Sequence, residues 1–251
     1  MKLFKIIASF SLMSVLISTS GCTTIEKKYP VSTDISSEQT TNKALSTKWG
    51  ESIQSEVQKV DAIRLSQQPY EIAAIHYQSG KSSNNSQKIK WANLDPINLS
   101  ILAEDKKIIP LYQIKNNQYT LYGKENERYI IYLNNINKQK SYEVVVTVDG
   151  LDVISGKSAS YQNRGYLLRP GDDLFIEGFR KNEQQVAVFR FGLADEGYVN
   201  FNTEGDKKNI GIIYVSVFEV KESTTEEIQK CIYSQKRFLD DNSYAPEPCI
   251  P

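Results

Sequence analysis

The sequence predicts a mainly β protein: an antiparallel β-sandwich of jelly-roll type, with one α-helix at its C-terminal end. Three observations carry this expectation. Roughly ten short apolar-alternating runs recur along the chain with turn residues between them. Fifteen Tyr and many Ile and Val, against only two Met, favour pleated strands over helical bundles. No helical pattern alternates with the runs, which argues against a parallel α/β fold.

In chain order, Glu71–Gln78 (EIAAIHYQ) reads as a strand ending at Ser79-Gly80. Lys88 to Leu94 and Ile97 to Ala103 alternate apolar and polar positions. Lys107 to Ile114 and Gln118 to Gly123 flank Asn116-Asn117, a hairpin signal. Tyr129 to Leu133 follows, and then the strongest segment, Tyr142 to Ile154 (YEVVVTVDGLDVI). Its period of two places Val144, Val146 and Val148 on one face, towards the core, and Val145 and Thr147 on the other. Asp149-Gly150 supplies a turn in which left-handed dihedrals cost little. Gly165 to Leu168, Leu174 to Ile176, Val186 to Phe191 and Ile210 to Val220 complete the series. Two segments read as helix. Ile53, Val57 and Val60 have helical spacing within Trp49–Gln68, although Val57, Val60 and Ile63 equally suit an irregular edge segment. Thr224 and Glu227 fit a capping box before Ile228, Cys231, Ile232, Phe238 and Leu239, so a helix is expected from about Thr225 to Leu239.

The N-terminus carries an export pattern. Lys2 and Lys5 precede an uncharged, mostly apolar run from Ile6 to Ile17, and then Ser18, Thr19, Ser20 and Gly21. That is the layout of a secretory signal, and the run is too short to span roughly 30 Å of hydrocarbon. Thr19-Ser20-Gly21-Cys22 resembles a bacterial lipobox, with Thr19 where leucine is usual. The resemblance implies cleavage before Cys22, lipid on its thiol and amine, and stable membrane anchoring through several acyl chains. Thr23, rather than an aspartate, fits outer-membrane sorting in the same family logic. Residues 1–21 are thus expected to be a signal peptide, 22–47 a polar tether, 48–222 the sandwich domain, and 223–251 the helix with a proline-rich tail.

With Cys22 lipidated, Cys231 and Cys249 remain. An oxidising periplasm permits a bridge between them, worth about 3 kcal/mol by loop entropy, and two free thiols are the alternative. The chain holds 30 basic and 30 acidic residues; removing Lys2 and Lys5 with the leader leaves 28 against 30, a net charge near −2. A domain-wide basic footprint for nucleic acid is therefore excluded.

The block VVVTVDGLDVISGKSAS (Val144–Ser160), RGYLLRPGDDLFIEGFRK (Arg164–Lys181), VAVFRFG (Val186–Gly192) and NIGIIYVSVFE (Asn209–Glu219) resembles a family of bacterial envelope proteins with no established activity. The likeness implies a shared fold and an envelope setting. Catalytic signatures are weak. His76 is the only histidine, no GxSxG elbow, P-loop, GxGxxG or CxxC occurs, and the expectation is that the chain needs no cofactor or metal. Asp172-Asp173 is half a glycosidase-like pair at best, and Asp149 with Asp152 is a poor cation set. Tyr161, Arg164, Tyr166, Arg169, Phe179 and Arg180 lie within twenty residues. Arg164, Tyr166, Arg169 and Arg180 are the candidate contact residues for an envelope protein or glycan partner; the competing reading makes the rings core and the arginines a solvated rim. The expected function is non-enzymatic binding or assembly, with a surface-glycan hydrolase as the alternative.

Overall fold

The computed structural model describes residues 42–82 and 87–222. The strands in chain order are β1 (Leu45–Gln54), β2 (Ala62–Arg64), β3 (Glu71–Gln78), β4 (Lys88–Ile89), β5 (Ala92–Leu94) and β6 (Ile97–Ala103). They continue as β7 (Ile108–Ile109), β8 (Leu111–Lys115), β9 (Gln118–Tyr122), β10 (Arg128–Asn135), β11 (Ser141–Val148) and β12 (Leu151–Asp152). The last are β13 (Tyr166–Leu168), β14 (Asp173–Ile176), β15 (Gly178–Arg180), β16 (Gln185–Leu193) and β17 (Ile212–Glu222). The protein is mainly β. One sheet runs β1-β16-β10-β6-β5, with β14, β15 and β7 attached at its sides. The other runs β12-β11-β17-β3-β9-β8-β4, with β13 and β2 attached.

The alternation that marks the strands also builds the core. Leu99, Ile101, Ile131, Phe189 and Phe191 of the first sheet join Ile75, Leu121, Val144, Val146, Val148, Ile213 and Val215 of the second in one buried cluster. Two sheets sharing one apolar layer is an arrangement that a sandwich fits. The expected strand series is found, including the β8–β9 hairpin at Asn116-Asn117, with Asn117 at φ 55°, and the β11–β12 turn at Asp149-Gly150.

Three expectations need correction. Trp49–Gln68 is not helical: its first part lies in β1, which pairs with β16 from Leu45↔Leu193 to Gln54↔Gln185. A bulge between Trp49 and Ser52 shifts the register, and the β16 backbone leaves room only for glycine there. A Cβ on Gly50 would lie 2.6 Å from the Val188 carbonyl oxygen. The tether cannot reach residue 47, because Leu45, Ser46 and Thr47 are fully buried in β1. The sheets are not wholly antiparallel, since β3 and β9 run parallel. The face opposite the core-facing valines is buried as well: Val145 forms a second cluster with Phe218 and Val220 on the outer face of β11 and β17, against which Leu167 packs. The expected C-terminal helix, Cys231 and Cys249, the signal segment and Cys22 all lie outside the described residues.

The second cluster changes what substitutions in β11 should do. Val145→Asp should destabilise the fold by several kcal/mol, as Val146→Asp does, because each buries an unpaired charge. Urea unfolding of both variants tests this; wild-type stability in Val145→Asp would show that the outer cluster is open to water.

Candidate functional site

The chemically most loaded position is the β11–β12 turn. Asp149 has φ 52° and is only 1% exposed. Its Oδ2 accepts from the Thr47 backbone N–H at 2.6 Å. Its Oδ1 accepts from the Tyr77 hydroxyl at 2.5 Å and the Gly211 N–H at 2.7 Å. Thr47 Oγ1 in turn lies 2.7 Å from both the Tyr77 and the Tyr129 hydroxyls. Burial pushes the Asp149 carboxyl up to about 6, against the lowering effect of those donors. Burial and the nearby carboxylate also push both phenols well above their ordinary values. The set is sealed from solvent, so it can hold the fold but cannot meet a substrate. Asp152 is equally buried; its Oδ1 accepts from Ile154 N, Ser155 N and Ser155 Oγ, while Oδ2 has no hydrogen-bond partner among the described residues. With both Asp149 oxygens already engaged, the Asp149–Asp152 pair does not form a cation site, and among the described residues no cluster of three metal-ligating side chains occurs.

The four candidate contact residues are engaged in different ways. Arg180 donates from Nε to the Tyr166 hydroxyl at 3.3 Å, from Nη2 to Ser55 Oγ at 3.2 Å, and from Nη1 to the Ser55 carbonyl. That fixes Tyr166 and Arg180 as a partly buried brace. Arg169 is bidentate on Glu222, with Nη2–Oε2 at 2.8 Å. Arg164 is exposed, and it alone of the four presents a guanidinium without a hydrogen bond or ion pair among the described residues. Of the neighbouring rings, Phe179 is core, whereas Tyr161 is 38% exposed and packs near Phe218. Arg64, which the sequence did not single out, lies 3.8 Å over the Phe218 ring and binds Glu143, Nε–Oε2 at 2.6 Å.

A second feature escaped the sequence reading because it is assembled across strands. Cross-strand partners share a face, so Ile212, His76, Thr120, Tyr112 and Lys88 form one row across β17, β3, β9, β8 and β4. Gln78 and Tyr122 form the adjacent row. This is the outer face: the alternate positions Ile75, Tyr77, Tyr119 and Leu121 point into the core. Tyr112 and Tyr122 meet edge to face, ring centroids 5.4 Å apart. His76 is half-buried and desolvation lowers its pKa, which keeps the imidazole neutral at pH 7. Lys88 ends the first row, and Lys115, opposite Gln118, stands on the same face.

No family model, curated protein or solved structure matches the chain.

Asp149 generates a pH prediction. Its folded-state pKa lies above the ordinary 3.8, so the fold favours the neutral acid. The resulting stability is complete below about pH 4 and is lost as pH rises through about 6. The wild type should therefore lose about 3 kcal/mol between pH 4 and pH 7 relative to Asp149→Asn, at 1.36 kcal/mol per pKa unit. Urea midpoints across that range decide it; parallel profiles would rule out Asp149 as the titrating group.

Proposed function

We propose that the chain is an envelope lipoprotein, lipid-anchored at Cys22 in the outer membrane, whose domain works by binding or assembly rather than by catalysis. The observation that carries this reading is the contrast in access. The perturbed carboxylate, Asp149, is shut inside the molecule, while Tyr161 and Arg164 are exposed and Tyr112 and Tyr122 half-buried. A hydrolase needs two acids flanking a substrate. Asp149 and Asp152 are each 1% exposed, and Asp173 is held by the Tyr132 hydroxyl and Asn134 amide. Contact with an envelope protein or glycan asks less: an accessible surface of suitable chemistry, to which Arg164 belongs.

The finer architecture belongs to the same proposal. A jelly-roll-like sandwich is extended by a helix over about 225–239, and Cys231–Cys249 folds the tail back upon it. The amphipathic spacing of Ile228, Cys231 and Ile232 supports the helix, and the two remaining cysteines support the bridge.

Two measurements test the envelope reading. Cys22→Ser should abolish labelling by a fatty-acid probe and leave the precursor uncleaved; unchanged labelling would remove the anchor. Alkylation of the unreduced, denatured protein followed by mass spectrometry should leave Cys231 and Cys249 unmodified, whereas two alkylated thiols there would mean no bridge.

A further inference from the structure

The outer face of the first sheet repeats one pattern strand by strand. Leu99, Ile131 and Leu133 face the core, so Asn98, Ser100, Tyr132 and Asn134 stand on the outer side of β6 and β10. Cross-strand pairing extends them into two rows. One runs Asn93–Asn98–Asn134–Asp173 over β5, β6, β10 and β14. The other runs Ser100–Tyr132–Phe175, and Trp91, one residue before β5, continues it beyond Ser100. Trp91 thus has Asn93 two residues away, Tyr132 has Asn134 and Phe175 has Asp173: a ring beside a short polar group, on three strands of one face. Trp91 is 49% and Phe175 40% exposed. The Tyr132 and Phe175 rings meet with centroids 4.8 Å apart. Asp173 Oδ1 accepts from the Tyr132 hydroxyl and from the Asn134 amide, both at 2.7 Å. The side-chain amides of Asn93 and Asn98 make no hydrogen bond among the described residues. Charges of both signs border the rows: Asp173 itself, Lys90 beside Trp91, and Lys106, 5.2 Å from the Phe175 ring centroid.

We infer that this face is a binding platform for a polysaccharide, its sugar rings stacked on Trp91, Tyr132 and Phe175 and its hydroxyls hydrogen-bonded by Asn93, Asn98 and Asn134. The inference rests on the binding reading above and names its ligand class. The repeat selects the ligand. A ring with an amide beside it offers an apolar surface and, next to it, a group that both donates and accepts. A pyranose offers the counterpart: an apolar C–H face bordered by hydroxyls that also donate and accept. A platform that sets this unit down on successive strands matches a chain that repeats its own unit. The bordering charges are of both signs, so the repeat rather than the charge sets the class. A folded protein partner presents no such period. It would also have to supply a polar group to each of the Asn93 and Asn98 amides, at a cost for every one left unpaired. Over four strands about 4.8 Å apart the rows extend about 14 Å, long enough for more than one sugar ring in file. Asp173 holds the Tyr132 hydroxyl and the Asn134 amide in place beforehand, so little order must be gained there on binding.

The test uses the full mature chain in detergent, run through native gels that contain soluble starch, hydroxyethylcellulose, galactomannan or alginate. At least one of the four should retard the wild type. Trp91→Ala should weaken that retardation at least tenfold, and Asn93→Leu at least threefold. Both side chains are exposed, so neither change removes a core contact. Asn93→Leu separates the two kinds of contact, because it keeps the volume and adds apolar surface. An apolar protein-type contact would hold or tighten, whereas hydrogen bonding to a sugar would be lost. Tyr122→Ala, on the second sheet, should migrate like the wild type. The proposal is overturned if none of the four polymers retards the wild type, if Trp91→Ala migrates as the wild type does, or if Asn93→Leu is retarded as strongly. If the polymers fail but an envelope protein crosslinks to the wild type, the platform is wrong and the binding reading stands. If neither kind of partner is found, both fall.

Discussion

The buried carboxylate of Asp149 is the constraint around which the two sheets are joined. It sits at a β-turn, yet its oxygens are claimed by Thr47 of β1, Tyr77 of β3 and the Gly211 N–H just before β17. Removing a carboxylate from water costs several kcal/mol, and only well-aligned donors offset that cost. The hydroxyl pattern is fixed by the same demand. When Asp149 is ionised Tyr77 must donate to it, so Thr47 must donate to Tyr77 and Tyr129 must donate to Thr47. A single charge thereby orients three side chains drawn from β1, β3 and β10. It also satisfies the backbone N–H of Thr47, on the strand that brings the chain into the domain.

Much of the fold is legible in local pattern, because a strand announces itself within a few residues. The period of two in YEVVVTV and the turn pair Asp149-Gly150 are both short-range signals, and both are realised in β11 and β12. What fails is whatever depends on a distant partner. Ile53, Val57 and Val60 mimic a helix by spacing, yet Ile53 lies in β1 and Val57 and Val60 lie beyond its end; the pairing of β1 with β16, more than a hundred residues away, is invisible locally. Asp149 reads as turn chemistry for the same reason, since Thr47 lies 102 and Tyr77 72 residues away. The period of two puts Val145 opposite the core-facing valines, and only Phe218 and Val220 of β17 show that this face too is covered.

The candidate site was legible in kind rather than in place. Arginines and tyrosines are gathered in the Arg164–Arg180 stretch, but sequence proximity says nothing about whether they are already engaged. Glu222, at the end of β17, takes Arg169, and Ser55, just past β1, takes Arg180. The row of His76, Thr120 and Tyr112 shows the converse: dispersed in sequence, it is brought together by one parallel and one antiparallel pairing.

The two halves of the second sheet's outer face resolve their exposure differently, and the difference is physical. Over β11 and β17, the rings and aliphatics need cover. Arg64 supplies part of it by lying across Phe218, with Glu143 neutralising the guanidinium and Gly165 N–H completing the carboxylate. Such a lid is stable because the cation keeps its stem on apolar surface and its head in hydrogen bonds. Over β3, β9 and β8 the residues are of another kind. Thr120, Gln78 and the tyrosine hydroxyls tolerate water, although Ile72 on the same face of β3 is an exposed aliphatic. Rings that the core does not use, standing on strands that the core holds rigid, are cheap to maintain and already placed for contact. Among the described residues, the apolar part of the sheet is buried beneath Arg64 and Leu167, while Thr120, Gln78, Tyr112 and Tyr122 remain half-buried.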